Sequence, residues 1–203
     1  MTRDEFQKRF LGADPTSSVD DFFMVYHASP REAWVELLAE RMHWLVGRAV
    51  GPRLLDVGCG SGLGSYLASL KPGIERVDAV DLAPKAIATT LRNLSTVPAG
   101  CPIHTHVAWA ETLPFEAGTF QTVVAGEVLE HVLDERAAVV EAARVLVPGG
   151  TAMISVPIDG SLDGDHIRRF TPAVLRSLID PLFHTVATTR VRNWWLCHAV
   201  RKN

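Results

Sequence analysis

The tightest constraint on this chain is one turn, Leu54-Leu55-Asp56-Val57-Gly58-Cys59-Gly60-Ser61-Gly62-Leu63-Gly64. A short apolar run carrying an acid is followed by glycine at every second position. Leu54, Leu55 and Val57 read as a buried strand, and Leu63 onward as the start of a helix. Gly58, Gly60 and Gly62 have no Cβ and tolerate φ > 0, so backbone can approach a ligand closely. The following helix would present unpaired N–H groups to the same crevice. A strand, a glycine loop and a helix in this order predict a binding turn.

Around the turn the chain alternates. Ser29-Pro30-Arg31-Glu32 can cap and open a helix, and Trp34, Leu38, Met42, Leu45 and Ala49 continue it at helical spacing to Gly51-Pro52. A helix is expected over 63–70 and a strand over 76–81. Pro84 opens a helix with Ile87, Leu91 and Leu94 on one face, and strands follow over 103–108 and 119–125. Asp134 caps a helix running through Val139, Ala143 and Leu146 to Pro148-Gly149-Gly150, before a fifth strand over 151–156. Thr171-Pro172 starts a helix carrying Leu175, Leu178 and Ile179. The runs 184–191 and 194–200, joined by Arg192-Asn193, predict an antiparallel hairpin. Such alternation means a doubly wound, mostly parallel α/β sheet with an antiparallel C-terminal hairpin.

The 203 residues are read as one domain, with an N-terminal helical cap over 1–50 and a catalytic core over 51–203. Phe6, Phe10, Phe22, Phe23 and Tyr26 make residues 1–28 either a lid over a site or helices packed on the sheet edge. A net charge of −3 gives no broad electrostatic reason to hold nucleic acid or an anionic membrane. No run reaches the length of a membrane span. The start, Met1-Thr2-Arg3-Asp4-Glu5, lacks the apolar stretch of a signal peptide. Cys59, Cys101 and Cys197 lack metal spacing, so reduced thiols in a cytoplasmic protein are expected.

In such sheets ligands bind at the carboxyl ends of the strands. Asp56 and the glycines follow strand one, Asp81 ends strand two, and Ala108-Trp109-Ala110-Glu111 follows strand three. Gly126-Glu127-Val128-Leu129-Glu130-His131 follows strand four, and Asp159 and Asp163-Gly164-Asp165-His166 follow strand five. Dinucleotide sites use G-x-G-x-x-G with a diphosphate on the helix. Here the spacing is G-x-G-x-G, and Asp56 would repel a diphosphate but favour a cation. Asp81 is placed to accept both hydroxyls of a ribose. The implied ligand has a ribose, a positive end and no phosphate.

Four segments together resemble the class I S-adenosylmethionine-dependent methyltransferases, of the type that includes ubiquinone-pathway O-methyltransferases. They are Leu55-Asp56-Val57-Gly58-Cys59-Gly60-Ser61-Gly62, Val80-Asp81-Leu82, Leu113-Pro114-Phe115 with Glu127-Val128-Leu129-Glu130-His131-Val132, and Arg144-Val145-Leu146-Val147-Pro148-Gly149-Gly150. The resemblance implies a seven-stranded Rossmann-like sheet. It also implies that Asp56, Gly58, Cys59, Gly60 and Gly62 hold the methionine part of S-adenosylmethionine. Asp81 would hold the ribose and Leu82 would pack on the adenine, with Ala110, Glu111 and Glu127 completing the cofactor site. Many relatives carry Gly-Asp-Ala-Glu after strand three, and Trp109 stands where their adenine-binding Asp would be.

The acceptor side decides the reaction class. A sulfonium is already a strong electrophile, whereas a hydroxyl acceptor must lose a proton to a base or under a metal. On a helical turn Glu127 and Glu130 would share one face, with His131 beside them. Relatives with a Glu-x-x-Glu-His cluster completed by a later His imply a divalent metal, Mg or Zn, on Glu127, Glu130, His131 and His166. Other relatives with the same motif imply no metal and use the His on the cofactor or as base. His131 is read as base or ligand, His166 second, with Glu127 as a third catalytic candidate. Arg168-Arg169 would clamp an anionic acceptor or form a solvated approach to the next helix. Trp194-Trp195 would pack in the last strand, line the acceptor pocket or anchor a homodimer. The expectation is O-methylation of a small-molecule acceptor. N-methylation of an amine held by Glu127 or Asp165, 2′-O-methylation of RNA, and an inactive cofactor-binding partner subunit stay open.

Overall fold

A computed structural model describes residues 33–158 and 166–203, with 33–38 as backbone only. The expectations placed on residues 1–28, on the Ser29-Pro30-Arg31-Glu32 cap and on Asp159, Asp163 and Asp165 lie outside the described residues. Helix α1 is Ala33–Gly47, followed by β1 Arg53–Val57, α2 Leu63–Ser69, β2 Arg76–Asp81, α3 Pro84–Leu94 and β3 Ile103–Val107. Then come β4 Phe120–Gly126, α4 Glu135–Val145, β5 Leu146–Pro157, α5 Pro172–Ile179, β6 Phe183–Val191 and β7 Trp194–Arg201.

The strands form one seven-stranded sheet in the order β3-β2-β1-β4-β5-β7-β6. All pairings from β3 to β5 are parallel, and β7 runs antiparallel to both β5 and β6. The hairpin therefore inserts its second strand into the sheet and leaves its first at the edge. Strand order reverses between β1 and β4, which places the crevice at the ends of these strands.

Alternate residues of the central strands feed opposite cores. Leu55, Val57, Val123, Ala125 and Ile154 pack with Val139 of α4 and Leu175 of α5. Leu54, Val77, Val124 and Met153 pack with Met42 and Leu45 of α1 and Leu63 of α2. Burial on both faces explains why these strands read as continuous apolar runs.

Two local expectations are corrected. In α3, Leu91 is 53% exposed, while Thr90 and Asn93 are buried. That face meets the glycine loop, whose carbonyls need donors: Thr90 Oγ1 donates to Gly60 O at 2.9 Å and Asn93 Nδ2 to Ser61 O at 3.0 Å. The other correction concerns α4, which ends at Val145 rather than at Pro148-Gly149-Gly150. Leu146 is wholly buried and already pairs with Phe120, so the sheet captures the chain before the proline and glycines are reached.

Candidate functional site

The glycine loop is pinned to β2. Gly58 N and Cys59 N donate to Val80 O at 2.7 and 3.0 Å. Gly60 N donates to Asp81 Oδ2 at 3.0 Å, and Ala83 N to Asp81 Oδ1 at 2.9 Å. The turn needs left-handed backbone, with φ of 70° at Gly58 and 88° at Gly62. It also needs space: a Cβ on Gly58 would lie 2.6 Å from Val128 Cγ2, and one on Gly62 would lie 2.9 Å from Thr90 Cγ2. Part of the glycine pattern thus serves the protein's own packing, besides any ligand.

Two carboxylates flank this loop. Asp56 is buried under α2, and Ser65 Oγ donates to its Oδ2 at 2.6 Å. Burial pushes Asp56 up to about 6; the Ser65 hydroxyl offsets part of this, and the nearby Asp81 charge adds to it. Burial also raises Asp81, against the pull of the Ala83, Gly60 and Leu82 N–H groups. A cation between them would relieve both. Burial raises the Cys59 thiol well above its ordinary value, followed by the charges of Asp81 and Asp56. Its side chain packs with Ala79 and Ile87, and its Sγ lies 3.6 Å from Thr90 Oγ1.

On the β3 side, Leu82 follows Asp81 half-buried and Ala110 packs against the larger core. Trp109 bridges to Thr112, whose N–H donates to Trp109 O at 3.1 Å. Glu111 Oε1 accepts from Leu133 N at 2.9 Å and Asp134 N at 3.2 Å, so this carboxylate is engaged by the loop after β4.

The β4 end divides its acids. Glu127 has φ 58°, unusual outside glycine, and its N–H donates to Ser155 O at 3.0 Å. A tight turn follows, in which His131 N and Val132 N donate to Val128 O at 2.9 and 3.2 Å. The left-handed residue sends Glu127 towards α1 and β7. Its Oε2 lies 2.7 Å from Arg41 Nη1, its Oε1 accepts from Trp194 Nε1, and the Arg41 guanidinium sits 4.9 Å over the Trp194 ring.

Glu130 goes the other way. It is fully buried, and neither carboxylate oxygen has a hydrogen-bond partner. Burial, then the charge of Glu127, pushes it up to about 8. Ligand atoms of Glu130, His131 and His166 lie within 4.8 Å of one another, and the two imidazole centroids are 4.7 Å apart. The geometry unites three of the four residues read as metal ligands, and Glu127 is not in the group. Arg41 is the site residue that sequence reasoning missed. It falls between the apolar positions of α1, and only burial at 8% exposure shows its importance.

A family model described as a methyltransferase domain matches residues 55–154. A ubiquinone biosynthesis O-methyltransferase of Xanthomonas euvesicatoria is 39% identical over 106 residues, covering 52% of this chain and 43% of that protein. The chain thus spans less than half the length of this curated relative. Among solved structures, the N-methyltransferase NodS of Bradyrhizobium japonicum in complex with S-adenosyl-L-homocysteine matches with a TM-score of 0.69 at 15% identity over 98% of each chain. The [4+2]-cyclase SpnF matches with a TM-score of 0.74 at 16% identity, covering 85% of this chain and 83% of that one. Likeness at these identities is likeness of fold, and proteins named for different reactions share it.

Proposed function

Because the chain belongs to the class I S-adenosylmethionine-dependent methyltransferase family, we propose that it methylates a hydroxyl oxygen of a small-molecule acceptor. The observation that carries the reading is the Glu130, His131 and His166 cluster at the end of β4, beside the strand that bears the glycine loop. When bound, S-adenosylmethionine supplies a methyl group on an electrophilic sulfonium. Asp81, already oriented by two backbone N–H groups, would take the ribose hydroxyls, and Asp56 would favour the cationic end. The buried Arg41, whose Nε has no hydrogen-bond partner, is suited to a carboxylate of the same ligand.

The remaining work is done by the chain. Holding acceptor and cofactor in line and excluding water can contribute about 7–11 kcal/mol. His131 takes the acceptor proton, with His166 against it to share the charge. The cluster also fits a divalent cation, Mg²⁺ or Zn²⁺, because two imidazoles and a carboxylate leave positions open. Such a cation would compensate the two unpartnered oxygens of Glu130 and would lower the pKa of a catechol or diol hydroxyl. Of the two acids read as holding an amine acceptor, Glu127 is paired with Arg41 and Asp165 lies outside the described residues. No described helix is long and apolar enough to cross a membrane. The free thiols support a reducing, cytoplasmic setting.

The test supplies methyl-labelled S-adenosylmethionine with matched catechol, diol and amine acceptors, in chelator and with added Mg²⁺ or Zn²⁺. Label on oxygen supports the reading. Label on nitrogen alone, or cofactor binding with no transfer to any acceptor, rejects it.

A further inference from the structure

We infer that Arg168 is a positioning residue, which sets the register of the His166 segment against the turn that carries Glu130 and His131. The inference deepens the methyl-transfer reading and rests on it for its kinetic arm. The adjacent arginines take different paths: Arg169 is exposed, whereas the Arg168 side chain is 19% exposed and turned inward. Its Nη1 donates to Leu129 O at 2.7 Å and also to Val132 O. Its Nη2 donates to Leu133 O at 3.2 Å and pairs with Glu135 Oε2 at 3.2 Å. Next to it, Ile167 N donates to Glu130 O at 3.0 Å.

Four carbonyls of one turn, those of residues 129, 130, 132 and 133, are therefore taken by the two residues that directly follow His166. The turn is too short to satisfy these oxygens itself, and their dipoles favour a cation. A planar guanidinium serves several acceptors at fixed angles, which an ammonium cannot do. Phe170, 4% exposed, anchors the chain path in the core, but an apolar anchor leaves the rotation of the preceding residues loose. The Arg168 fork fixes that rotation and aims His166 at His131. Both Nη groups of Arg168 are engaged, by three carbonyls and the Glu135 carboxylate, and so are not left to clamp an acceptor.

The experiment compares wild type with Arg168→Lys and Arg168→Gln in histidine-labelled protein. Three things are measured: the nuclear Overhauser cross-peak between the His131 and His166 rings, the affinity for S-adenosyl-L-homocysteine, and acceptor turnover. Both variants should lose the cross-peak and hold S-adenosyl-L-homocysteine as tightly as wild type. The lysine variant should lose about 100-fold in kcat, the scale of a misplaced catalytic group. A retained cross-peak with unchanged kcat in Arg168→Lys overturns the inference. So does a parallel loss of affinity and turnover in that variant, since Arg168 would then support the fold at large. A lost cross-peak with intact affinity, in a protein whose wild type methylates nothing, rejects the methyl-transfer reading and leaves the positioning role standing.

Discussion

Arg41 Nη1 and Glu127 Oε2 lie 2.7 Å apart, with side chains 9% and 28% exposed, and their ion pair joins α1 to the end of β4. Glu127 thus turns to α1, while Glu130, three residues on, groups with His131 and His166. Removing one partner leaves the other charge enclosed, which in buried pairs costs about 3–5 kcal/mol. Arg41→Met should cost roughly the lower end of that range, since Glu127 keeps partial contact with water. The double variant Arg41→Met with Glu127→Gln should recover most of the loss. Urea unfolding of all four proteins measures the coupling, and additive losses would show that the pair is not energetically joined.

Asp81 ends β2 with both oxygens already held by backbone N–H groups. Asp81→Ala should weaken S-adenosyl-L-homocysteine binding by roughly 10- to 100-fold, the scale of one or two hydrogen bonds to a charged group. Calorimetry reads this directly, and unchanged affinity would remove the cofactor assignment from Asp81.

Gly58 combines φ of 70° with the close approach of Val128. Gly58→Ala should destabilise by about 1–2 kcal/mol from the left-handed backbone and a further ~1–3 kcal/mol from the clash. Adding Val128→Ala should relieve the clash and leave the backbone cost. Thermal melts that show full rescue would mean the conformation itself is cheap.

Glu130 offers a pH prediction. Burial, then the Glu127 charge, pushes its carboxyl up to about 8 from an ordinary 4.5, so the native state holds the extra proton between these values. Stability must then fall as pH rises through that window, because the unfolded chain binds fewer protons there. In chelator, Glu130→Gln should gain on wild type from pH 4.5 to pH 8, each tenfold in proton affinity being worth about 1.4 kcal/mol. A stability difference that stays flat with pH would show that the carboxyl is not held neutral by burial.

Most of the architecture was legible in the chain because its signals are local. Apolar runs, the glycine spacing, Asp134 before α4 and Thr171-Pro172 before α5 mark elements without reference to distant residues. The site was legible as a set of residues at strand ends but less so as a geometry. Spacing put Glu127 and Glu130 on one helical face, yet a single left-handed residue at Glu127 parted them. The apolar pattern of α3 suggested Leu91 inside, while the carbonyls of the glycine loop drew Thr90 and Asn93 there instead.

By itself, then, the sequence determined the order of strands and helices and the ends of the strands at which chemistry collects, since periodicity and glycine spacing act within a few residues. The tertiary structure alone decided that Asp56 is buried on Ser65 and that Glu127 is matched by Arg41 and Trp194. It likewise brought Glu130, His131 and His166 together with Arg168 beneath them. The direction of each of these side chains depends on one backbone angle and on partners supplied by segments far along the chain. The glycine turn was readable because its constraint lies in its own backbone. Of Glu127, Glu130, His131 and His166, which the motif offered as one group, the structure brings the last three together and turns Glu127 to Arg41, because that choice lies between segments.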